Sequence, residues 1–313
     1  MGANMDIITA ASIYTDYLAQ VNKAQLTTET YGYAMGRFLN FLSHSEGLSD
    51  HDDISQITID HIRNFGLRLY RDRLAPSTRR KYLVVLRNWF KHLAKMGFST
   101  VNPELVELPK LPPRVPNPDE RLPLMLSIIK DDQKGWQKVI ALRDRAILET
   151  LFSTQLRVSE LVSLNRNSVD WTKGLAVVIG KGRKPRTVFF SDGASSAISA
   201  YLDERQDKFI PLFVHHDRAH KPDPKDKDGQ KMRLTRQAIE SMVRKYSRLA
   251  GVEATPHSFR HYGATELIRA GADIRTVQEL LGHASVSTTQ IYTHVNPKRL
   301  QQEWKKYHPS SSQ

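Results

Sequence analysis

Through residue 96, apolar side chains recur at helical intervals and are interrupted by short polar breaks, the pattern of helices packed on one another. Phe38, Leu39, Phe41 and Leu42 give one helix an apolar face, with Thr27 and Thr28 placed to cap its start. Between about 76 and 96, Tyr82, Val85, Leu86, Trp89 and Leu93 fall on one side of a helix, while Arg80, Arg87, Lys91 and Lys95 fall on the other. After a proline-rich stretch the helical period returns over 139–152 and continues through Leu156, Leu161 and Leu164. It then changes to short strands, Leu175 to Ile179 and Thr187 to Phe190, so 168–190 is predicted to form a small antiparallel sheet. Residues 211–233 are polar and charged, the composition of an exposed excursion, and 235–250 reads as a helix.

The last third carries the clearest punctuation. Thr255 and Pro256 suit the cap and first position of a helix that Gly271 is placed to end. Asp273 can cap a further helix, whose Ile274, Val277, Leu280 and Leu281 keep helical spacing up to Gly282. Pro297 opens a final helix with Leu300, Trp304 and Tyr307 on one side, which can dock on its own domain or on another copy. The expected architecture is mainly α with a small antiparallel β-sheet in the second domain. Its parts are a helical domain over 6–97, a proline-rich linker over 98–120 and a second domain over 121–313. Such a linker would let the two domains close as a C-shaped clamp.

Charge changes the picture most. The 313 residues hold 46 Lys+Arg against 33 Asp+Glu, a formal net charge of +13, which calls for a polyanionic partner. No run of apolar residues approaches membrane-spanning length and no signal peptide is indicated, so neither a membrane nor a secretory setting is expected. Without cysteine, disulfides and thiolate metal sites are excluded. The basic side of the 76–96 helix is either an ordinary solvated face or a DNA-contacting one. Acidic residues do not interleave with it, and Arg71, Arg73, Arg79 and Lys81 thicken the same region, which favours DNA.

Candidate chemistry gathers in the second domain. His257 and Arg260 sit three apart at a helix start, where free N–H groups and a forked guanidinium suit a phosphate. His257 and His261 lack the glutamate of a zinc-binding metalloprotease helix, since Ser258 stands there. Arg157 and Glu160, also three apart, form either a helix-stabilising ion pair or part of a phosphate site. Lys181 lies between two glycines in the hairpin, either as an ordinary basic turn or as a mobile ammonium. His283 can donate a hydrogen bond or move a proton, and Tyr292 can act as a nucleophile.

Taken together, HSFRH, LLGHASVSTTQIYTHV, LRVSEL and IGKGRK make the chain resemble the tyrosine recombinases of the phage integrase family, in particular the Xer-type and mobile-element enzymes. The resemblance extends from about residue 8 to 307. It implies a helical core-binding (SAM-like) domain that grips DNA opposite a catalytic domain. It further implies site-specific strand exchange through a 3′-phosphotyrosyl intermediate and a Holliday junction, without metal, ATP or other cofactor. By resemblance, Tyr292 is the nucleophile, Arg157 and Arg260 bind the phosphate, and Lys181 protonates the leaving 5′ oxygen. His257 assists proton transfer, His283 donates to the phosphate, and Glu160 supports them. Arg79, Arg80, Lys81, Arg87 and Lys91 are expected to contact DNA, as are Arg236, Gln237 and Arg244. A dimer on one site and a tetramer in the synapse would form through the C-terminal helix, with a second recombinase or accessory factor as a further partner, in a cytoplasmic, nucleoid-associated setting. A type IB topoisomerase-like nicking-closing enzyme and a catalytically silent DNA-binding protein are the alternatives. The chain departs from the family at Gln155, where a glycine is usual before the Leu-Arg pair; a turn needing positive φ would be strained there.

Overall fold

The computed structural model describes residues 5–21, 25–111, 119–130, 133–180, 185–216, 220 and 222–282. The chain divides into two compact units, Met1–Pro113 and Arg114–Gln313. Lys181, His283, Tyr292 and the helix expected after Pro297 lie outside the described residues.

The first unit contains α1 (Ile7–Gln20), α2 (Gln25–Phe41), α3 (Ile59–Arg71) and α4 (Pro76–Lys95). Asp6 and Thr58 cap α1 and α3 by accepting from the amides of Thr9 and His61, and Pro76 opens α4. Helix α2 begins at Gln25, so Thr27 and Thr28 lie inside it rather than capping it. The apolar side read from the sequence is the buried side of α4: Tyr82, Val85, Leu86, Trp89 and Leu93 all enter the core. Trp89 has no exposed surface, and its indole Nε1 donates to the Ala10 carbonyl at 3.0 Å, so the largest core side chain also ties α4 to α1. Phe38 meets Phe65 edge-on at 5.1 Å and joins α2 to α3 in the same core.

Residues 98–108, which their prolines mark as linker, are instead part of this unit. Val101 and Val106 are buried in its core, and Phe98 and Leu108 pack against it. Arg80 of α4 donates to the Pro109 carbonyl at 2.9 Å, and Arg87 donates to that of Val106. Burial and two charged donors hold the segment down, so proline stiffens a packed strap here rather than a free tether.

The second unit contains α5 (Leu124–Ser127), α6 (Trp136–Thr154), α7 (Val158–Ser163), β1 (Val169–Asp170), β2 (Leu175–Ile179) and β3 (Pro185–Phe189). It continues with α8 (Asp192–Glu204), α9 (Arg236–Ala250), α10 (Pro256–Arg269) and α11 (Ile274–Leu281). The three strands form an antiparallel sheet in the order β1-β2-β3, with Val177 opposite Thr187. Its inner face gives Ala176, Val178 and Val188 to one core with Ile147, Leu148 and Leu151 of α6, Ile198 of α8 and Val243 of α9. A smaller cluster, Ala264 and Ile268 with Val277 and Leu281, seats α11 on α10. The 211–233 stretch is not wholly an exposed excursion. Leu212, Phe213 and Val214 are buried, and Arg205 and Arg233 fix its flanks by donating to the carbonyls of Pro211, Leu212, Val162 and Leu164. Among the described residues no helix is long and apolar enough to cross a membrane.

Helix α6 ends at Gln155 in the left-handed conformation, φ 52 and ψ 32. This is the strained backbone expected where a non-glycine residue replaces glycine. The side chain lies over Gly263 of α10, where an added Cβ would come within 2.4 Å of its Nε2. Glycine at 263 therefore makes room for glutamine at 155.

Three substitutions test this packing by their effect on stability. Trp89→Ala should cost about 3–5 kcal/mol by denaturant titration, the range for removing a large buried aromatic. Gln155→Gly should gain about 1 kcal/mol by relieving the positive φ. Gly263→Ala should destabilise the natural chain and cost much less beside Gln155→Gly; equal costs in both backgrounds would show that the two sites do not interact.

Candidate active site

The chain leaves α6 through the Gln155 turn, and Arg157 becomes the N-cap of α7 rather than a member of a helical face. Its own amide donates to Glu160 Oε2 at 2.8 Å while its guanidinium donates to Glu160 Oε1 at 2.7 Å. The ion pair read from the sequence thus exists, but Glu160 has a second basic partner: Arg186 of β3 reaches its Oε2 at 2.8 Å. Burial alone would push the Glu160 carboxyl up. The Arg157 amide and the Arg186 charge, with hydrogen bonds from both side chains, outweigh burial and hold it below its ordinary value.

Arg186 escaped the sequence reading. It pairs across the sheet with Val178 and shares the inward phase of Val188, so a guanidinium occupies a core-facing position of a strand. A charged residue in the inward phase of an alternating strand was the available signal.

Helix α10 brings the next two residues. Thr255 is its N-cap, with the Thr255 amide donating to Ser258 Oγ at 3.0 Å, and Pro256 is its first residue, as the sequence indicated. His257 is exposed on the first turn, its ring 4.2 Å from that of His261 and edge-on to it. Arg260, one turn on, is by contrast buried, at 1% exposed. It donates to the Gln155 carbonyl at 3.0 Å and to the Leu281 carbonyl.

The end of α11 draws these groups together. Leu280 accepts from Arg186 at 2.6 Å, Leu281 from Arg260, and Gly282 from Arg157 at 3.4 Å. Three guanidiniums from three separate elements therefore meet three consecutive carbonyls at the negative end of one helix. Gly282, at φ 61, must lack a side chain for a second reason as well: an added Cβ would fall 2.7 Å from Arg186 Cδ.

A cleft of about 520 Å³ opens beside this cluster. Arg157 and the α10 start, through Thr255, Pro256 and His257, form one side, and Arg236 and Arg244 of α9 form the other. Arg236 is paired with Glu240 at 2.7 Å, while Gln237 and Arg244 are exposed. The arrangement offers a helix N-terminus, an imidazole and several guanidiniums to one anion. Among the described residues no group of three or more His, Asp or Glu side chains is placed to hold a metal ion.

In the first unit the basic residues divide. Lys81 and Lys91 are exposed, Arg79 lies over the Tyr70 ring at 5.0 Å, and Arg80 and Arg87 are spent partly on the strap carbonyls.

Comparisons with known proteins agree with the motifs. The phage integrase family model matches residues 120–299, and the model of its N-terminal SAM-like domain matches residues 12–97. A tyrosine recombinase XerD of Listeria innocua is 34% identical over 90% of this chain and 92% of its own length. A tyrosine recombinase XerC of Pelobacter propionicus is 34% identical over 93% of this chain and 91% of its own. Among solved structures, the XerH site-specific recombinase bound to its difH substrate in a pre-cleavage complex superposes with a TM-score of 0.67 and 23% identity, covering 93% of this chain and 84% of that one. A lambda integrase dimer bound to a core site gives 0.68 and 14% identity, covering 92% and 77%. These two structures share the fold, and the family and sequence matches carry the rest: the chain belongs to the phage integrase family, the tyrosine recombinases.

Proposed function

We propose that this tyrosine recombinase exchanges strands at a specific double-stranded DNA site by two rounds of transesterification. The observation that carries the reading is the cleft where Arg157, His257 and the start of α10 converge, beside buried Arg260. Tyr292 attacks the scissile phosphorus, forming a 3′-phosphotyrosyl ester as the bond to the 5′ oxygen breaks. Lys181 gives that oxygen its proton. The 5′-hydroxyl of the partner strand then attacks the phosphotyrosyl phosphorus and releases the tyrosine.

Arg157 and Arg260 hold the non-bridging oxygens, and His283 adds a hydrogen bond. Arg260 takes up its share by exchanging the Leu281 carbonyl for a phosphate oxygen. Donors of this kind contribute about 2.7–4 kcal/mol each to the transition state. His257, on the exposed first turn of α10, assists proton transfer. Because one phosphoester replaces another, the chemistry needs no nucleotide hydrolysis, and the cationic side chains occupy the place metal ions take in other phosphoryl-transfer sites.

Duplex affinity comes mainly from many phosphate contacts. Exposed Lys81, Lys91, Gln237 and Arg244 are suited to such contacts, as are the donors that Arg79, Arg80, Arg87 and Arg236 keep available. The XerH and lambda integrase structures, both bound to DNA, support a DNA partner. The segment after Pro297 would dock on a neighbouring copy and couple active sites within a dimer on one site and a tetramer in the synapse.

The test is a pool of nicked duplexes with a randomised core, from which the chain captures its own substrate as a covalent adduct. Tyr292→Phe should keep its affinity for the captured duplex within about threefold and form no adduct; an undiminished adduct overturns the assignment. Release of closed strands without exchange would point instead to a nicking-closing enzyme. Deleting residues 297–313 should abolish cooperative binding while a single copy still binds DNA, as read by gel shift.

A further inference from the structure

We infer that Arg186 is a positioning residue of the site: it locks Glu160, and through it Arg157, to the end of α11. The inference deepens the recombinase reading and rests on it. Both terminal nitrogens of Arg186 are committed, Nη2 to Glu160 at 2.8 Å and Nη1 to the Leu280 carbonyl at 2.6 Å. The guanidinium is therefore engaged in holding protein groups: it is 9% exposed, each terminal nitrogen carries one of these bonds, and its Nε is buried with no hydrogen-bond partner among the described residues.

Its place in the fold gives those bonds their effect. Arg186 stands near the start of β3, a few residues after Lys181 in the sequence. Glu160 lies on α7 and fixes Arg157 by two bonds, one to the amide and one to the guanidinium. Leu280 lies in the last turn of α11, and the two carbonyls after it receive Arg260 and Arg157. One buried side chain thus connects the strand after the lysine hairpin, the carboxylate behind the first phosphate arginine and the helix end that both phosphate arginines touch.

Alternative roles explain less. A residue that only filled the core would be served by an apolar side chain, as at Val188 on the same face of β3. Arg186 instead adds a second, buried positive partner to a carboxylate that Arg157 meets through its amide and guanidinium, and it neutralises part of the negative helix end. Lysine can serve one of these partners but not both in the same plane.

Three variants distinguish the role: Arg186→Lys, Arg186→Gln and Arg186→Met. Each is measured for affinity to the duplex captured by the natural chain and for the single-turnover rate of Tyr292 adduct formation at saturating DNA. Hydrogen exchange across residues 274–282 gives a readout free of chemistry. The expected result is affinity within about threefold, adduct formation slowed by about 100-fold in Arg186→Gln and Arg186→Met, and partial recovery in Arg186→Lys. Exchange at the end of α11 should rise in the same order. Unchanged rate and exchange would overturn the inference, as would a rate that falls only in proportion to the folded fraction measured by circular dichroism. If the natural chain forms no adduct, the recombinase reading fails instead, and the exchange data alone decide whether Arg186 holds α11.

Discussion

Everything at the site depends on how the last turn of α11 is terminated. A helix end presents carbonyls without intrahelical partners and a partial negative charge. Here Arg157, Arg186 and Arg260 satisfy three of those carbonyls in succession. Guanidiniums gathered this closely repel one another, and the arrangement holds because Glu160 sits between two of them and the carbonyl dipoles face all three. The local excess of positive charge is what a phosphate would relieve. The protein side of the cluster is held together by the chain's own carboxylate and carbonyls, so a phosphate drawing on Arg260 would have to replace the Leu281 carbonyl.

The same geometry gives the three arginines different characters. Arg157 is partly exposed, its side chain retaining 29% of its surface at the edge of the cleft, whereas Arg260 is buried and meets two main-chain carbonyls. Arg186 is buried against a carboxylate. Depth does not rank them, since Arg260 at 1% exposed lies deeper than Arg186 at 9%; what distinguishes Arg186 is an ion pair buried on both sides.

Much of this was legible in the sequence, because its signals were local. The apolar side of α4, the Thr255–Pro256 start of α10, the Asp273 cap and the Gly282 stop each follow from side-chain chemistry within a few residues. The strained turn at Gln155 followed from the one departure from the family pattern. What escaped depended on partners distant in the chain. The strap over 98–108 looked like a tether because proline content says nothing about Val106 meeting the core or Arg87 reaching its carbonyl. Leu212 to Val214 were hidden in a charged neighbourhood; Arg205, from before the stretch, holds the Leu212 carbonyl, and Arg233, at its end, ties the stretch to the Val162 carbonyl. Arg186 was missed because basic residues surround it in the hairpin, and only the phase of the strand separates it from them.

The burial of Trp89 has a spectroscopic consequence. It is the sole tryptophan of the first unit, enclosed and bonded to a carbonyl, whereas Trp136 and Trp171 of the second unit are 50% and 41% exposed. Indole emission moves to shorter wavelength when water is excluded, so among the described tryptophans Trp89 is the one placed to emit at the blue edge. Loss of that emission during denaturation would date the opening of its core separately from the catalytic one, with no label introduced into either.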